Sequence, residues 1–295
     1  KLNGEYLWRW AHFLGSDLVN AIVANEPSMR YQTPCQGVEN KLPVSVCMIA
    51  GPEGHRISKS LDSISSWAGE IIIVLNEDVD DETEQIANIA GAAVFREQWK
   101  GHIAQKNSAA IKANFPWTLG LDADEIVSTK MQKEISVITQ SPHQSSSDYY
   151  SFPRCTEYEG KMIRHGDWYP DRQTRLWKTG SAKWGGVNPH DKLLTAKKPE
   201  KLSGEIIHYS MTSLDHQIKK YLCYADVFAS ECQNQNRRVS RLDLFFRPTW
   251  RFVRGYFLKL GFLDGWQGLA IARMTAFYTF LRYFKALEIQ THNRN

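Results

Sequence analysis

The chain lacks several features that define large classes of proteins. Its 295 residues include five cysteines, and no two of them form a Cys-x-x-Cys pair. An odd number of widely spaced cysteines favours reduced thiols in a cytoplasmic protein over a disulfide framework. No run of about 18 uninterrupted apolar residues occurs, so we expect no ordinary transmembrane helix. The first five residues show no basic region followed by an apolar core, so we expect no signal peptide there.

Glycine motifs that bind phosphates are also missing. The sequence contains neither Gly-x-x-x-x-Gly-Lys nor Gly-x-Gly-x-x-Gly. The first motif holds phosphates in P-loop ATPases, and the second binds dinucleotides at the start of a helix. Their absence argues against both enzyme classes. The composition is otherwise that of a folded globular protein, with 42% hydrophobic residues, 23% charged residues and a net charge of +4.

Positive charge is concentrated near the C-terminus. Residues 237–295 hold eleven Lys or Arg and three Asp or Glu. On a helix over residues 250–260, Arg251, Arg254 and Lys259 would share one side, with aromatic and aliphatic residues on the other. This pattern is typical of a helix lying in a membrane interface. It fits equally well an amphipathic helix packed on its own domain.

The hydrophobic pattern divides the chain into three regions. Residues 1–40 have apolar side chains at helical spacing and predict a separate, helical appendage. In residues 41–210, apolar runs of strand length alternate with helical segments, which predicts a parallel sheet with helices on both faces. Residues 211–295 return to helical spacing, and their part from 268 to 287 is apolar nearly all round, as in a buried or partner-packed helix.

The first half of the middle region is the most regular. The pattern predicts strands at 44–50, 71–75, 92–95 and 117–121, and helices at 57–67, 80–90 and 103–113. In open α/β sheets, ligands bind beyond the carboxyl ends of the strands. The residues that follow these strands are therefore the first candidates for a site.

Polar residues follow three of the predicted strands. Ala50 and Glu53 lie at and after the end of the first strand, and Asn76 follows the second. Asp122 and Asp124 follow the fourth, where residues two apart in an extended segment point the same way. Two converging carboxylates form an oxygen site for Mg²⁺ or Mn²⁺ with positions left open for phosphate oxygens. The same short pattern also fits a solvated acidic turn or a helix cap.

Four motifs between residues 42 and 135 carry a family resemblance. They are Glu-Ile-Ile-Ile-Val at 70–74, Asp-Glu-Thr at 81–83, Gln-Lys-Asn at 105–107 and Leu-Asp-Ala-Asp-Glu at 121–125. On these motifs the chain resembles the family 2 glycosyltransferases, which have the GT-A fold and are usually inverting. The resemblance implies an α/β protein with a Rossmann-like, mainly parallel sheet flanked by helices, followed by a helical, amphipathic C-terminal region.

Later motifs resemble one branch of that family, the enzymes that add glucose to the inner core of lipopolysaccharide or lipooligosaccharide. They are Trp-Tyr-Pro-Asp-x-Gln-x-Arg-Leu at 168–176, His-Asp at 190–191 and Gly-Phe-Leu-Asp-Gly at 261–265. The resemblance implies a UDP-glucose donor and a lipid-linked glycan acceptor as partners. The basic, aromatic pattern of the C-terminal region adds an anionic membrane surface, and we expect no nucleic acid. It also implies a cytoplasmic protein, peripheral on the inner face of the cytoplasmic membrane.

Two positions depart from the family pattern. Asn76 stands where many relatives have Asp, at the position expected to meet the nucleotide base. Residues 51–53 read Gly-Pro-Glu where the first loop usually reads Lys-Asn-Glu. An Asn amide still hydrogen-bonds a pyrimidine edge, so nucleotide binding by Ala50, Glu53 and Asn76 remains the expectation.

The reaction needs charge stabilisation on the leaving diphosphate. On the resemblance, Asp124 would hold a divalent ion, with Asp122 directed to the ribose or to the metal. Lys106 and Arg175 would place positive charge near the diphosphate, although each also fits a structural cation. His208 would either complete the metal shell or serve as a structural histidine.

The reaction also needs a base for the acceptor hydroxyl. Asp191 is the candidate, because it lies beyond the sheet and beside His190, where the acceptor should approach. Asp171 is the second candidate, and Asp191 also fits a plain turn carboxylate. The aromatic residues of this region either stack on acceptor sugars or pack in the core; they are Trp168, Tyr169 and Trp184.

Two other functions share part of the pattern. A sugar nucleotidyltransferase also combines an α/β sheet with metal-binding aspartates, but residues 50–55 match its Gly-rich loop poorly. A degenerate transferase acting as a glycan-binding module would be consistent with the Asn at position 76. The presence of Asp122, Asp124 and Asp191 argues against that module.

Overall fold

A computed structural model describes residues 41–140, 146–187, 190–210 and 213–292. The predicted appendage, residues 1–40, lies outside them. The described residues form two compact units. The first unit comprises the residues up to Pro153 together with Arg172–Ile206, and the second comprises Arg154–Asp171 with the residues from Ile207 onward. The predicted domain limits, 41–210 and 211–295, stay a prediction.

The order of elements begins with alternating strands and helices. The strands are β1 (Leu42–Ala50), β2 (Ala68–Asn76), β3 (Ala93–Glu97), β4 (Trp117–Gly120) and β5 (Glu125–Val127). The helices between and after them are α1 (Ile57–Asp62), α2 (Thr83–Ile89), α3 (His102–Ile111) and α4 (Thr129–Gln140). Shorter strands follow: β6 (Tyr149–Tyr158), β7 (Lys161–Met162), β8 (Asp171–Lys178), β9 (Ala182–Val187), β10 (His190–Thr195), β11 (Glu200–Lys201) and β12 (Ile206–His208).

The main sheet is mixed, with a parallel half. Its strand order is β3-β2-β1-β4-β8-β6-β12-β5, and β9 pairs with β10 in a separate antiparallel hairpin. β1 is parallel to β2 and β4, β2 is parallel to β3, and β8 joins β4 antiparallel. The strand order therefore reverses between β1 and β4, which makes their carboxyl ends the topological switch point where ligands bind in such sheets.

Burial on both faces explains why residues 46–50 of β1 and 71–75 of β2 are apolar without interruption. One face, with Val46 and Ile73, packs in the main core together with residues of α1 and α4. The other face, with Cys47 and Ile72, packs against Ala109 of α3. A strand covered on both sides has no polar face, and the expected alternation of polar and apolar residues disappears.

Two helices are shorter than their periodicity predicts. α1 ends at Asp62, because the Ser63 hydroxyl donates to the Ser60 carbonyl at 2.7 Å and turns follow. α2 begins at Thr83, because Asp81 accepts a hydrogen bond from the Thr83 backbone N–H at 3.0 Å. In both cases a local hydrogen bond from a polar side chain competes with the helical ladder.

The second unit is largely helical. It contains α5 (Leu214–Asn234), α6 (Asp243–Val253) and α7 (Gly265–His292), with a π turn at Arg254–Leu258 and a 3₁₀ turn at Gly261–Asp264 between the last two. Ala229 and Cys232 of α5 pack against Tyr283 and Ala286 of α7. None of the helices among the described residues has the length and apolar character needed to span a membrane.

Three cations converge on one buried carboxylate in the second unit. The Asp167 side chain is 3% exposed, and its Oδ1 lies 2.6 Å from Arg254 Nη2 and 3.1 Å from Lys259 Nζ. Its Oδ2 lies 2.9 Å from Arg251 Nε. The basic side of the predicted amphipathic helix therefore faces an internal carboxylate, because Asp167 offers these cations an ion pair within their own unit.

The Gly-Phe-Leu-Asp-Gly motif has a structural basis in the same unit. Asp264 accepts the backbone N–H groups of Arg164 at 3.1 Å and His165 at 2.8 Å, and its Oδ1 lies 3.1 Å from His165 Nδ1. A Cβ on Gly268 would lie 1.9 Å from the Gly261 carbonyl oxygen, so the helix start requires glycine there. The motif thus ties the segment before Asp167 to the C-terminal helices.

Candidate active site

Four elements bring charged side chains to the carboxyl ends of β1 and β4. The Leu121 backbone N–H donates to the Cys47 carbonyl at 3.1 Å and extends the pairing to the point where Asp122 follows. α3 contributes Lys106, β8 contributes Arg175 and β10 contributes Asp191. Together with Glu125 of β5, these residues form what we call the ionic cluster: Lys106, Asp122, Glu125, Arg175 and Asp191.

Short ion pairs connect every member of the ionic cluster. Lys106 Nζ lies 2.9 Å from Asp122 Oδ1 and 2.9 Å from Asp191 Oδ2. Arg175 Nη2 lies 2.7 Å from Asp122 Oδ2 and 2.8 Å from Glu125 Oε1. Glu125 is fully buried, and its second oxygen accepts the Asp122 backbone N–H at 3.0 Å. Both oxygens of Asp122 are therefore paired with cations.

The charges of the cluster reinforce one another. Burial would raise the pKa of Asp122, but the charges of Arg175 and Lys106 outweigh it and hold that pKa well below its usual range. Burial would likewise lower the pKa of Arg175, but Asp122 and Glu125 outweigh it and raise that pKa. Asp122 and Arg175 thus both remain charged at neutral pH.

Trp184 supports the two cations. Its ring centroid lies 4.6 Å from Lys106 Nζ and 5.5 Å from Arg175 Cζ, and its ring meets Trp177 edge-on at 6.1 Å. Its backbone is bonded to Asn107, which accepts from the Trp184 N–H at 2.8 Å and donates to its carbonyl at 3.0 Å. With 7% of its surface exposed, Trp184 serves packing rather than sugar stacking.

The loop after β1 is held by the Asp-Glu-Thr motif. Asp81 Oδ2 accepts the Gly54 backbone N–H at 3.0 Å, and Thr83 Oγ1 accepts the Glu53 backbone N–H at 2.8 Å. These bonds join the residues after β1 to the start of α2. A Cβ on Gly51 would lie 3.7 Å from Asn76 Nδ2, which places Gly51 beside Asn76.

Arg56 joins two predicted site residues. Its Nη2 donates to Glu53 Oε1 at 2.8 Å, and its Nη1 lies 3.5 Å from Asp124 Oδ2. The hydrogen bond to Glu53 raises the pKa of Arg56 in spite of partial burial, and the charge of Asp124 acts in the same direction. Glu53 and Asp124 therefore share one cation at the edge of the site.

Other predicted residues lie in the second unit. Asp171 is paired with Arg154 at 2.5 Å, and Trp168 packs edge-on against Tyr158 at a centroid distance of 5.5 Å. His208 ends β12. Sequence reasoning missed the roles of Glu125 and Arg56. The only signal for Glu125 was its place at the end of the Leu-Asp-Ala-Asp-Glu motif, and Arg56 had none.

The side chains available as metal ligands decide what kind of metal site is feasible. Within the described part of the chain, no three His, Cys, Asp or Glu side chains are placed to hold a metal ion together. Mg²⁺ in proteins is commonly bound by one or two carboxylates, with substrate phosphates and water completing the shell. The residues present fit an ion held by Asp124 and a bound diphosphate, and they do not fit an all-protein cage.

Comparison with known proteins identifies the class. The family model for glycosyl transferase family 2 matches residues 45–195, a range that includes the parallel half of the sheet and the whole ionic cluster. Fold and site therefore define a glycosyltransferase of the GT-A type. The chain belongs to glycosyl transferase family 2. The predicted fold class, family and enzyme class are confirmed, and both alternative functions lose their support.

Full-length relatives agree with this assignment. An uncharacterized glycosyltransferase of Rickettsia prowazekii is 28% identical over 261 residues, covering 85% of this chain and 89% of the relative. The lipopolysaccharide core biosynthesis glycosyltransferase LpsC of Rhizobium meliloti is 24% identical over 257 residues, covering 82% and 90%. Among solved structures, the mannosyltransferase PcManGT of Pyrobaculum calidifontis, in complex with GDP-Man and Mn²⁺, is 12% identical with a TM-score of 0.48, covering 94% and 96%.

Proposed function

We propose that the protein transfers glucose, with inversion, from UDP-glucose to a lipid-linked glycan such as the inner core of lipopolysaccharide. The observation that carries the proposal is the ionic cluster, which fixes Lys106 and Arg175 beside a strand-end aspartate at the switch point. The name of the Rhizobium meliloti relative, a lipopolysaccharide core biosynthesis glycosyltransferase, supports the choice of acceptor.

The nucleotide is assigned to the carboxyl ends of β1 and β2. Ala50 ends β1 beside the loop that carries Glu53. Asn76 ends β2, and its amide offers both a donor and an acceptor to a pyrimidine edge. Glu53, held by Arg56 and by the Asp-Glu-Thr motif, completes this side of the proposed site.

The leaving diphosphate is assigned to the cations of the cluster and to a divalent ion. Mg²⁺ or Mn²⁺, when bound, stabilises the charge that develops on the leaving phosphates. Asp124 is its direct protein ligand in this proposal, because both oxygens of Asp122 are already paired with Lys106 and Arg175. Lys106 and Arg175 hold positive charge at fixed positions, so little reorganisation is needed when the glycosidic bond breaks.

Asp191 is assigned as the base. Lys106 engages its Oδ2 and thereby orients the carboxylate. The acceptor hydroxyl would give its proton to Oδ1 as the hydroxyl oxygen attacks the anomeric carbon. Because the acceptor is lipid-linked in this proposal, the enzyme would work as a peripheral protein on the inner face of the cytoplasmic membrane.

A donor panel tests the proposal directly. Purified protein is mixed with a lipooligosaccharide core acceptor, Mg²⁺ or Mn²⁺, and UDP-glucose, UDP-galactose, UDP-GlcNAc or GDP-mannose in turn. We expect acceptor-dependent release of UDP with UDP-glucose above all, and a β-linked product by NMR. Release of no nucleotide with any donor would contradict the proposal, and a preference for another donor would correct the sugar while keeping the reaction type.

A further inference from the structure

The second unit exposes a row of large apolar side chains along α6 and the two turns that follow it. We call the exposed apolar residues between 242 and 266 the aromatic ridge. Its most exposed aromatic members are Phe245 at 66%, Phe246 at 60%, Trp250 at 58% and Trp266 at 61%. Phe257 and Leu258 of the π turn are exposed by 53% and 62%.

α6 departs from the pattern of an ordinary surface helix, because Leu244 packs inward while a second group of apolar side chains faces outward. Such a helix buries its apolar stripe and turns its charges to water. Here Phe245, Phe246 and Trp250 form the outward stripe. Arg251, on the opposite side, is paired with the buried Asp167 together with Arg254. The inward cations therefore hold the aromatic side outward.

The ridge is too large for an incidental patch. Ten large apolar residues between 242 and 266 are each 43–67% exposed. Since a whole aromatic side chain offers about 150–250 Å² of surface, the six aromatic members of the ridge alone expose about 700 Å². The largest apolar patch on a typical monomer is about 300–600 Å². A surface of this size marks a place where something else docks.

Charge around the ridge indicates the occupant. Residues 237–266 hold seven Lys or Arg and two Asp. Neither Asp presents an unpaired charge, because Asp243 pairs with Arg247 and Asp264 is buried beside His165. Four of the cations pair with Asp167 or Asp243, so the exposed positive charge of this segment comes from Arg237, Arg238 and Arg241. Arg238 and Arg241 are exposed directly before the ridge. An apolar centre with a basic rim complements the interface of a bilayer that carries anionic head groups.

We propose that the aromatic ridge inserts into the interface of a bilayer containing anionic phospholipid, with Arg238 and Arg241 at the head groups. Arg251, Arg254 and Lys259 are partly exposed and anchor the ridge through their ion pairs with the buried Asp167. The choice of lipid as occupant rests on the proposed lipid-linked acceptor. The ridge is the surface by which the enzyme reaches that acceptor.

Vesicle flotation tests the proposal with the whole chain and without donor or acceptor. The original protein is expected to float with phosphatidylcholine vesicles containing phosphatidylglycerol, and weakly with phosphatidylcholine alone. The triple variant Phe245→Ser, Phe246→Ser, Trp250→Ser should lose at least tenfold in the bound fraction, and R238E/R241E should lose binding at low salt. The matched control I89S/V137S removes two apolar side chains of the first unit, 80% and 69% exposed, and should float like the original. A triple variant that is folded by circular dichroism and floats unchanged overturns the proposal.

Thiol labelling tests whether something other than lipid covers the ridge. Phe246→Cys is made in a chain with Cys35→Ser and Cys223→Ser, since Cys223 is exposed while Cys47, Cys155 and Cys232 are buried. A charged maleimide should label position 246 rapidly without vesicles and slowly with anionic vesicles. Slow labelling of position 246 without vesicles would overturn the proposal. Light scattering would then show whether the chain is a dimer, in which a second copy covers the ridge, or a monomer, in which residues 1–40 cover it. Because no substrate is present, a failure here and a failure of sugar transfer are distinguishable.

Discussion

At the scale of single residues, Lys106 joins two acids that the sequence keeps far apart. Its ammonium group lies 2.9 Å from both Asp122 and Asp191, with Trp184 beneath it. Three acidic side chains and two cations make up the ionic cluster, so each substitution there changes both charge and geometry. Predictions about the reaction therefore use isosteric changes where the chain permits them.

Asp191→Asn is expected to lower kcat by about 10²–10⁴-fold, the usual contribution of a general base. An amide keeps the shape and still accepts a hydrogen bond from Lys106, but it does not take up the proton. Donor affinity, measured by calorimetry, should stay nearly unchanged. Asp148→Asn, at an exposed pair with Lys178, is the matched control. A loss below about tenfold would move the base to Asp171.

Asp124→Ala is expected to abolish transfer while the protein stays folded, since the proposed metal would lose its direct protein ligand. Turnover is measured with saturating Mn²⁺, and thermal unfolding is followed in parallel. Chelation by EDTA should reduce the original enzyme to the same level. The assignment of Asp124 fails if the variant retains near-normal turnover with metal present. Asp148→Ala serves as the control for loss of an exposed carboxylate.

Gly120→Ala is expected to destabilise the protein by about 1–3 kcal/mol through overpacking. A Cβ at this position would lie 2.8 Å from Trp184 Cζ2 and 3.3 Å from Trp177, and both rings are buried. Urea unfolding measures the change in free energy. Gly51→Ala is the control, because its Cβ would meet nothing nearer than 3.7 Å. Equal stability of the two variants would contradict the steric argument.

At the scale of elements, the sequence predicts best what is determined locally. β1 and β2 follow from their unbroken apolar runs at 46–50 and 71–75, because burial on both faces leaves no other pattern there. Periodicity predicts that α1 ends later, and that α2 begins earlier, than each helix does in the structure. These two helix ends depend on single hydrogen bonds of Ser63 and Asp81, which the hydrophobic pattern does not reveal.

The residues of the site were also predictable only where nearby sequence determines their position. Asp122 and Asp124 were predictable from their place after a buried strand, and Lys106 from its motif. The pairing of Lys106 with Asp191 was not, because it depends on where the β9–β10 hairpin lies against α3. The pairing of Arg251, Arg254 and Lys259 with Asp167 could not be predicted either, because Asp167 lies far from them in the sequence.

Asp167→Asn tests how firmly α6 and the π turn are anchored. Three cations would lose their counter-charge, and burial together with the neighbouring Arg254 and Arg282 already lowers the pKa of Arg251. Removing a partner from a fully buried pair costs about 3–5 kcal/mol, and we expect about 2 kcal/mol here because the cations are partly exposed. Thermal unfolding and proteolysis between α6 and α7 measure the effect. Asp243→Asn, at an exposed pair with Arg247, should change little, and equal effects of the two variants would refute the anchoring role.

At the scale of the whole molecule, the ionic cluster links stability to pH. The pKa of Asp122 lies well below its ordinary value of 3.8 in the folded protein. Its contribution to the free energy of unfolding is therefore full above pH of about 4 and is lost only as the pH falls through the lowered pKa. We expect Asp122→Asn to destabilise the protein by about 2 kcal/mol, less than for a fully buried pair, because Asp122 is 26% exposed.

Urea titrations of the original protein and the Asp122→Asn variant between pH 8 and pH 3 provide the measurement. The difference between the two should stay constant from pH 8 to pH 5 and shrink only at the acid end. A difference that stays constant down to pH 3 would indicate an unshifted pKa of Asp122, and one that already changes between pH 8 and pH 5 would indicate a raised pKa. Either result would contradict the lowered pKa. Asp148→Asn should show a small difference throughout.

The outer position of β3 affects how copies of the chain behave when they are crowded. β3 ends the strand order of the described sheet, and a bare outer strand is a template on which another chain adds its own strand. This strand has only five residues, and two of them are Arg96 and Glu97. Lys112 Nζ also lies 5.1 Å from the ring centroid of the exposed Phe95. A short, charged, partly shielded strand is a poor seed for amyloid-like growth, so we expect little strand addition at this edge when copies of the enzyme are crowded.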